Sequence, residues 1–357
     1  AYNFCFESNT TIKMKPSVTQ IFASYKIVAI SIDGYLLYKN FRFYWGNKDQ
    51  KRVIEIGRLQ IDKYKFFVRF RILRRLLRLE PRAAACLSDG IFVVCCCHKL
   101  WVVDCNKHII SEVKGHRIGW SDPLNFFTDG VYFYWGEYGN NPKRESVNIY
   151  RGSALGEVEP VFQFAKGMVR HIHNLFFDNK RNIFWIFTGD TECTSGIYIA
   201  SADWKSVRPL LVGEQKYRAV VGFPTDDGII YATDAVDKEN YIYRLNYETA
   251  TITPVVPING SCIFGVENKS YYAFSTTVEP YEGQYYSRLI TYKLGAGIKD
   301  RTAHLVLVHK QTREVNIICK RRKDIWPMGL FGYGTFMFPA NQAESSNLHI
   351  YPSALES

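Results

Sequence analysis

Apolar and polar residues alternate along most of the chain in short segments that are separated by turn-forming residues. A period of two is typical of β-strands that turn one face toward a core. One cycle reads VRHIHNLFFD, IFWIFTGD, GIYIASAD and SVRPLLVG, and the stretches that begin YRAVVGFPTDD and GSCIFGVENK repeat the same order of parts. The pattern therefore predicts an all-β protein built from repeated units of four strands.

Turn-forming residues mark the step from the first to the second strand of each unit. They fall between 40 and 64 residues apart, at Asp33, Asp89, Asp129, Asn182, Asp227, Asn268 and Gly332. Repeats of this length are typical of β-propeller blades, each of which is a four-stranded antiparallel sheet. We therefore expect residues 1–357 to form a single β-propeller domain with seven blades, and a six-bladed propeller is the alternative.

The segment 65–82, KFFVRFRILRRLLRLEPR, departs from this pattern. Its arginines Arg71, Arg74, Arg75 and Arg78 follow helical spacing, with leucine and isoleucine between them. The spacing predicts a basic amphipathic helix inserted into the propeller, which contacts a membrane surface or a partner. The alternative is an insertion between blades whose leucines pack on the propeller wall.

Composition narrows the partners and the compartment. An excess of 45 Lys and Arg over 34 Asp and Glu gives a net charge of +11, which favours anionic partners. Nine cysteines, of which Cys95, Cys96 and Cys97 are consecutive, favour a reducing compartment. We therefore expect a cytoplasmic protein with peripheral membrane contact; export stays open, because a removed signal would leave no trace. Nucleic-acid-binding motifs are absent from the sequence, so nucleic acid is not an expected partner.

Unusual ionisable residues occur at the strand ends that should share one rim of the propeller. In an antiparallel pair, the start of the first strand lies beside the end of the second. First-strand starts contribute His116, Arg170, His171, His173, Tyr217 and Arg218. Second-strand ends and the loops after them contribute Glu137, Arg144, Asp190, Glu192, Asp234 and Glu279. The sequence therefore predicts a functional site on one face of the propeller.

The chemistry of these residues suggests two kinds of role. The catalytic candidates can exchange protons or flank a glycosidic bond: His171, His173, Glu137, Asp190 and Glu192. The candidates for substrate binding include arginines that can fork onto a carboxylate or sulfate: His116, Arg144, Arg170, Tyr217, Arg218, Asp234 and Glu279. Hydrolysis of a glycoside and elimination from a uronic acid both remain open.

His171 and His173 lie two positions apart, so both side chains should point to the same side of a strand. With Asp190 they could hold a divalent metal, although nothing in the sequence requires a cofactor. The alternative is a hydrogen-bonded brace of histidine and aspartate that holds adjacent strands together.

The stretch from about 115 to 280 resembles a known group of propellers. It includes GEYGNNPKRESVNIYRGS, FAKGMVRHIHNLFFD, FWIFTGDTECTSGIYIASADW and GEQKYRAVVGF. These motifs resemble bacterial sialidase-like, BNR-type propeller proteins associated with surface-polysaccharide gene clusters. Of the Asp-box pattern S-x-D-x-G-x-T-W the chain keeps only SADW, at 201–204, which argues against sialidase activity itself.

The resemblance implies action on an acidic bacterial surface polysaccharide, as a glycoside hydrolase or a polysaccharide lyase. The alternative is a non-catalytic scaffold that binds the glycan or assists its assembly.

Overall fold

In the part of the chain that the structure describes, six four-stranded antiparallel sheets follow one another, and we call them blades I to VI. They were found in a computed structural model that describes residues 25–47, 52–61, 73–74, 77–114, 118–278, 294–322, 335–337 and 349–351. Blades I to III comprise β1 (Lys26–Ile30), β2 (Gly34–Lys39), β3 (Arg42–Asn47) and β4 (Val53–Arg58); β5 (Ala83–Ser88), β6 (Ile91–Cys96), β7 (Lys99–Asp104) and β8 (Ile109–Val113); and β9 (Phe127–Thr128), β10 (Tyr132–Gly136), β11 (Val147–Ser153) and β12 (Val158–Phe164).

Blades IV to VI comprise β13 (His171–Asp178), β14 (Ile183–Gly189), β15 (Gly196–Ser201) and β16 (Val207–Val212); β17 (Ala219–Pro224), β18 (Gly228–Thr233), β19 (Asn240–Asn246) and β20 (Ile252–Ile258); and β21 (Cys262–Glu267), β22 (Tyr271–Thr276), β23 (Thr302–His309) and β24 (Val315–Arg322). Short 3₁₀ helices span Glu192–Thr194 and Gln215–Tyr217. A separate two-stranded sheet pairs β25 (Thr335–Met337) with β26 (His349–Tyr351).

Within each blade the strands pair in chain order, and the first strands of successive blades adjoin one another. The first strand is therefore the innermost strand of its blade, as in a propeller. This arrangement confirms the predicted all-β propeller with four-stranded antiparallel blades. The described residues form six such blades, which is the alternative count and not the preferred count of seven. The seventh predicted turn, at Gly332, lies outside the described residues.

The hydrophobic core lies between blades, and the alternation along each strand builds it. On β14, Phe184 and Ile186 pack toward blade III, whereas Trp185 and Phe187 pack toward blade V. Phe184 is 3% exposed, and the other three side chains are fully buried. Because successive side chains on a strand point to opposite faces, a strand that is packed between two neighbouring blades must be apolar on both of its faces. This explains why the second strands read as continuous apolar runs.

The basic segment 65–82 is described only at 73–74 and 77–82, so Arg71 and Arg75 lie outside the described residues. Leu77 N donates to Leu73 O, which is one helical turn. Arg74 is only 8% exposed and forms an ion pair with Glu80 at 3.4 Å. Leu79 is fully buried in the core shared by blades I and II. Arg74, Leu79 and Glu80 therefore face the protein, as the packing alternative expects, whereas Leu77 and Arg78 are exposed.

Within the described part of the chain, no helix is long and apolar enough to cross a membrane. The cysteines that the structure describes are free thiols: Cys86, Cys95, Cys96, Cys97, Cys105, Cys193 and Cys262.

Candidate functional site

His171 and His173 open β13, the innermost strand of blade IV, and both are 2% exposed. The register of β13 against β14 shifts between Ile172 and Asn174, so His173 is the extra residue of a β-bulge. His171 Nδ1 lies 2.6 Å from the carbonyl oxygen of Gly139 in blade III. His173 Nδ1 lies 3.0 Å from the carbonyl oxygen of Ala219 in blade V. The two rings therefore bridge blade IV to both of its neighbours.

The other ring nitrogens meet a carboxylate from the end of the next strand. His171 Nε2 and His173 Nε2 are 3.0 Å apart, and they lie 3.2 and 3.1 Å from Asp190 Oδ1. Each Nδ1 faces a carbonyl, which only accepts, so each Nδ1 must carry its proton. In each neutral ring, Nε2 then carries a lone pair and no proton. Three acceptor atoms in mutual contact require a positive centre between them, either a proton or a metal ion.

Gly189 makes this contact geometrically possible. It ends β14, directly before Asp190, and a Cβ built there would overlap the His173 ring, with Nε2 only 2.7 Å away. Any side chain at this position would push the imidazole away from the carboxylate. The sequence Gly-Asp at the strand end therefore brings the backbone close enough for the histidines to reach Asp190.

Two arginines and a glutamine contact Asp190. Arg218 Nη1 donates to the Asp190 carbonyl at 2.9 Å, and Arg218 Nη2 lies 3.2 Å from Oδ1. Arg170 Nη1 is 3.6 Å from Oδ2, and Gln215 Nε2 donates to the Asp190 carbonyl at 3.0 Å. Asp234 Oδ2 lies 3.5 Å from Arg218 Nε and 4.0 Å from His173 Nδ1. The predicted convergence is thus observed for His171, His173, Asp190, Arg170, Arg218 and Asp234.

The electrostatics of the cluster follow from burial and from these contacts. Burial lowers the pKa of His171, and the hydrogen bond with Asp190 only partly opposes it. For Asp190, burial alone would raise the pKa, but the contacts with His171 and His173 hold it far below its usual value. Burial favours the neutral form of His171, while the carboxylate of Asp190 stays ionised. The cluster therefore attracts a cation.

Tyr138 and Arg82 also belong to this site, although the sequence did not identify them as a pair. The Tyr138 ring packs on the His171 ring with centroids 4.5 Å apart, and the Arg82 guanidinium lies 5.3 Å from the centroid of Tyr138. Burial and then the charge of Asp190 raise the pKa of Tyr138 to about 12. Arg82 directly precedes β5, as Arg170 precedes β13 and Arg218 precedes β17. Aligning the blades at these starts would have found it.

The remaining candidates have other surroundings. Glu137 is fully buried, and its carboxylate accepts hydrogen bonds from Asn148 and Tyr150. The exposed Glu192 carboxylate lies 3.7 Å from Lys238 Nζ.

Arg144 Nη1 lies 3.9 Å from Cys193 Sγ, and the Tyr217 hydroxyl donates to Glu214 at 2.8 Å. Tyr217 is 8% exposed and packs in the core between blades IV and V. His116 and Glu279 lie outside the described residues. The roles expected for these six residues remain predictions.

No protein-family model and no curated protein matches this chain. The sialidase-like family of the sequence resemblance is therefore not assigned. Solved structures do match, at identities that show the fold alone. An oligogalacturonate lyase in complex with manganese aligns at 11% identity and a TM-score of 0.53, over 84% of this chain and 78% of that one.

Two further solved structures match with similar scores. A chain of a mitotic checkpoint complex aligns at 8% identity and a TM-score of 0.50, over 90% of this chain and 88% of that one. A prolyl endopeptidase aligns at 10% identity and a TM-score of 0.52, over 90% of this chain but only 46% of its own length. Proteins of such different functions share this architecture, so the site and not the fold must indicate the chemistry.

Proposed function

We propose that this protein acts on an acidic polysaccharide at the His171, His173 and Asp190 cluster and that the cluster holds a divalent metal ion. The observation that carries the proposal is the contact of three acceptor atoms within 3.2 Å of one another, with both Nδ1 atoms already committed to carbonyls. A ligating histidine usually donates its other N–H to a carbonyl or carboxylate, which fixes the ring. Both rings meet that condition here.

The donor set also fits the chemistry of the ion. Two imidazoles and one carboxylate suit several divalent ions, and three protein ligands leave further positions for substrate or water. Such an ion would polarise the carboxylate of a bound uronate and so acidify the neighbouring C–H. The residues of the chain would position it: Gly139 and Ala219 fix the two rings, while Arg218 and Arg170 fix Asp190.

An acidic substrate is supported by charge. Three arginines, Arg82, Arg170 and Arg218, surround the cluster. Asp190 and Asp234 are the carboxylates in contact with this network, and Asp122 also acts on Arg82. A divalent ion bound at the cluster would make this site more positive still. Such a site would attract an anionic chain. The oligogalacturonate lyase of similar fold suggests oligogalacturonate as a first substrate to try, together with acidic capsular and exopolysaccharides.

The test measures metal binding and turnover separately. Metal-free protein is titrated with Mn²⁺ by calorimetry, and we expect one ion per chain. His171→Ala and His173→Ala should each weaken that affinity by more than about 100-fold, because loss of even an outer partner of a metal ligand costs about 10–100-fold. The control is His108→Asn, which removes an exposed imidazole at a position with φ of 56°, where asparagine is tolerated.

Turnover is followed in the same variants with acidic oligosaccharides. Ultraviolet absorbance of an unsaturated uronate would show elimination, and new reducing ends without that absorbance would show hydrolysis. Tight binding with neither product would favour the non-catalytic scaffold. If the wild type binds no ion and both alanine variants lose only stability, the cluster is a proton-bridged brace and the proposal is wrong.

A further inference from the structure

Arg82, at the end of the basic segment, lies beside the candidate site, and Arg78 is an exposed arginine of the same segment. The Arg82 guanidinium packs on the ring of Tyr138, and Tyr138 packs in turn on His171. Burial and the charge of Asp190 raise the pKa of Tyr138, whereas the charges of Arg82 and Arg78 lower it. Arg82, at the end of this segment, therefore lies one aromatic ring away from the histidine cluster.

Unlike Arg170 and Arg218, neither of these arginines has a carboxylate partner among the described residues. Arg82 is partly buried, and its guanidinium donates to the Ser121 hydroxyl at 3.4 Å. The carboxylate of Asp122 acts on Arg82 from farther away, and its Oδ1 is already hydrogen-bonded to His98 at 3.0 Å. Burial lowers the pKa of Arg82, and the like charge of Arg78 lowers it further.

A partly buried cation beside a second cation is costly unless an anion balances it. The guanidinium is nevertheless held in place, because the Arg82 backbone N–H donates to the Cys95 carbonyl at 3.0 Å and the side chain stacks on Tyr138. The site is thus rigid, positive and close to the cluster. A planar fork of this kind matches a carboxylate or a sulfate with two parallel hydrogen bonds.

We propose that Arg82, with Arg78 adding positive charge, forms an anion seat that binds a carboxylate of the glycan while a neighbouring part of the sugar reaches His171, His173 and Asp190. The proposal rests on the proposed function for the identity of the ligand. It assigns this end of the basic segment to substrate recognition and not to a membrane surface. Sulfate esters offer the same charge and fork geometry, and the experiment separates them from carboxylates.

The experiment measures binding of a galacturonate trimer, of the same trimer with its carboxyl groups reduced to alcohols, and of a sulfated oligosaccharide by calorimetry. Arg82→Gln should weaken binding of the acidic trimer by about tenfold or more, since it loses a charge-assisted hydrogen bond. Arg82→Lys should recover only part of this loss, because lysine has no fork. The reduced trimer should bind weakly to every variant.

Two further variants keep the test independent of folding defects. Arg78→Asn changes an exposed residue with φ of 53°, which asparagine tolerates, and it should weaken binding of the acidic trimer in the same direction. The control Arg208→Gln removes an exposed cation from β16, the outermost strand of blade IV, and should leave binding unchanged. Tighter binding of the sulfated ligand than of the acidic trimer would reassign the seat to sulfate.

Failure of this proposal differs from failure of the proposed function. If the reduced trimer binds as tightly as the acidic trimer, or if Arg82→Gln changes nothing while His171→Ala abolishes binding, the anion seat is wrong. If Arg82-dependent binding persists without metal binding or turnover, the seat stands and the catalytic proposal falls. If no trimer binds, the melting temperatures of wild type and Arg82→Gln are measured with free galacturonate and with sulfate. Equal changes in the two proteins would overturn the anion seat.

Discussion

Asp190→Asn is the most informative single change, because Asp190 is the point where two histidines and two arginines meet. Its side-chain oxygens lie 3.1 and 3.2 Å from the histidine nitrogens, 3.2 Å from Arg218 and 3.6 Å from Arg170. Asparagine keeps the shape but removes the charge. The side chain of Arg218, 8% exposed, then loses the nearer of the two carboxylates that the described residues place beside it and keeps Asp234 at 3.5 Å.

The magnitude follows from these contacts. Breaking a buried ion pair by removing one partner costs about 3–5 kcal/mol. The Asp190 side chain is 19% exposed, so water screens part of the effect, and we expect a loss of about 2–3 kcal/mol. With an unfolding entropy of about 2.1 cal/mol/K per residue over 357 residues, the melting temperature should fall by about 3–4 °C.

The assay is differential scanning calorimetry of metal-free protein, followed by the same scan with excess Mn²⁺. Asp226→Asn is the matched control, since its fully exposed carboxylate pairs with Lys180 on the surface and should contribute nothing measurable. Mn²⁺ should raise the melting temperature of the wild type and of Asp226→Asn, but much less that of Asp190→Asn. Equal stability of the two variants would refute the electrostatic reasoning about the cluster.

Three other changes probe features around the site. Gly189→Ala should weaken Mn²⁺ binding and lower the melting temperature, because its methyl group would displace the His173 ring; unchanged titration calorimetry would contradict the packing argument. Arg181→Met should lower the free energy of unfolding by about 3–5 kcal/mol in chemical denaturation, because it leaves the buried carboxylate of Asp178, which also accepts a hydrogen bond from Trp185, without its positive partner Arg181. A loss no larger than that of an exposed arginine would count against this reasoning. The hydrogen bond to Asp122 raises the pKa of His98 in the folded protein. The contribution of His98 to folding stability is therefore fully present below its ordinary pKa of about 6.5 and is lost as the pH rises through the raised value. The difference in melting temperature between wild type and His98→Gln should shrink from acidic to alkaline pH, and a difference that grows would be inconsistent with the shift.

The fold could be predicted from the sequence because each blade repeats the same strand alternation and turn chemistry. The sequences of blades IV to VI, such as the stretch from His171 to Val212 in blade IV, carry this signal most clearly and match the observed strands closely. The blade count was harder to predict, because turn residues alone cannot tell a complete four-strand unit from a shorter strand pair. The turn predicted at Gly332, outside the described residues, supplied the seventh count, and the described strands that follow it, β25 and β26, pair as a two-stranded sheet.

The site could be predicted where strand geometry determines it. His171, Asp190 and Arg218 converge because the end of one strand returns to the start of its neighbour. The surroundings of Glu137 could not be predicted in this way, since a carboxylate at a strand end can equally turn inward to Asn148. Arg82 was missed because its position near the helical run of arginines in 71–78 hid its equivalence to Arg170.

The contacts of the two histidines with neighbouring blades also bear on how the protein matures. The carbonyl that holds His171 comes from 32 residues earlier in the chain, and the carbonyl that holds His173 comes from 46 residues later. The cluster therefore cannot be completed until blades III, IV and V have docked. A chain emerging from the ribosome would pass through states that contain all three of His171, His173 and Asp190 but lack Ala219. Such nascent chains would have the cluster residues without the geometry, so metal capture would mark chains in which these blades have assembled.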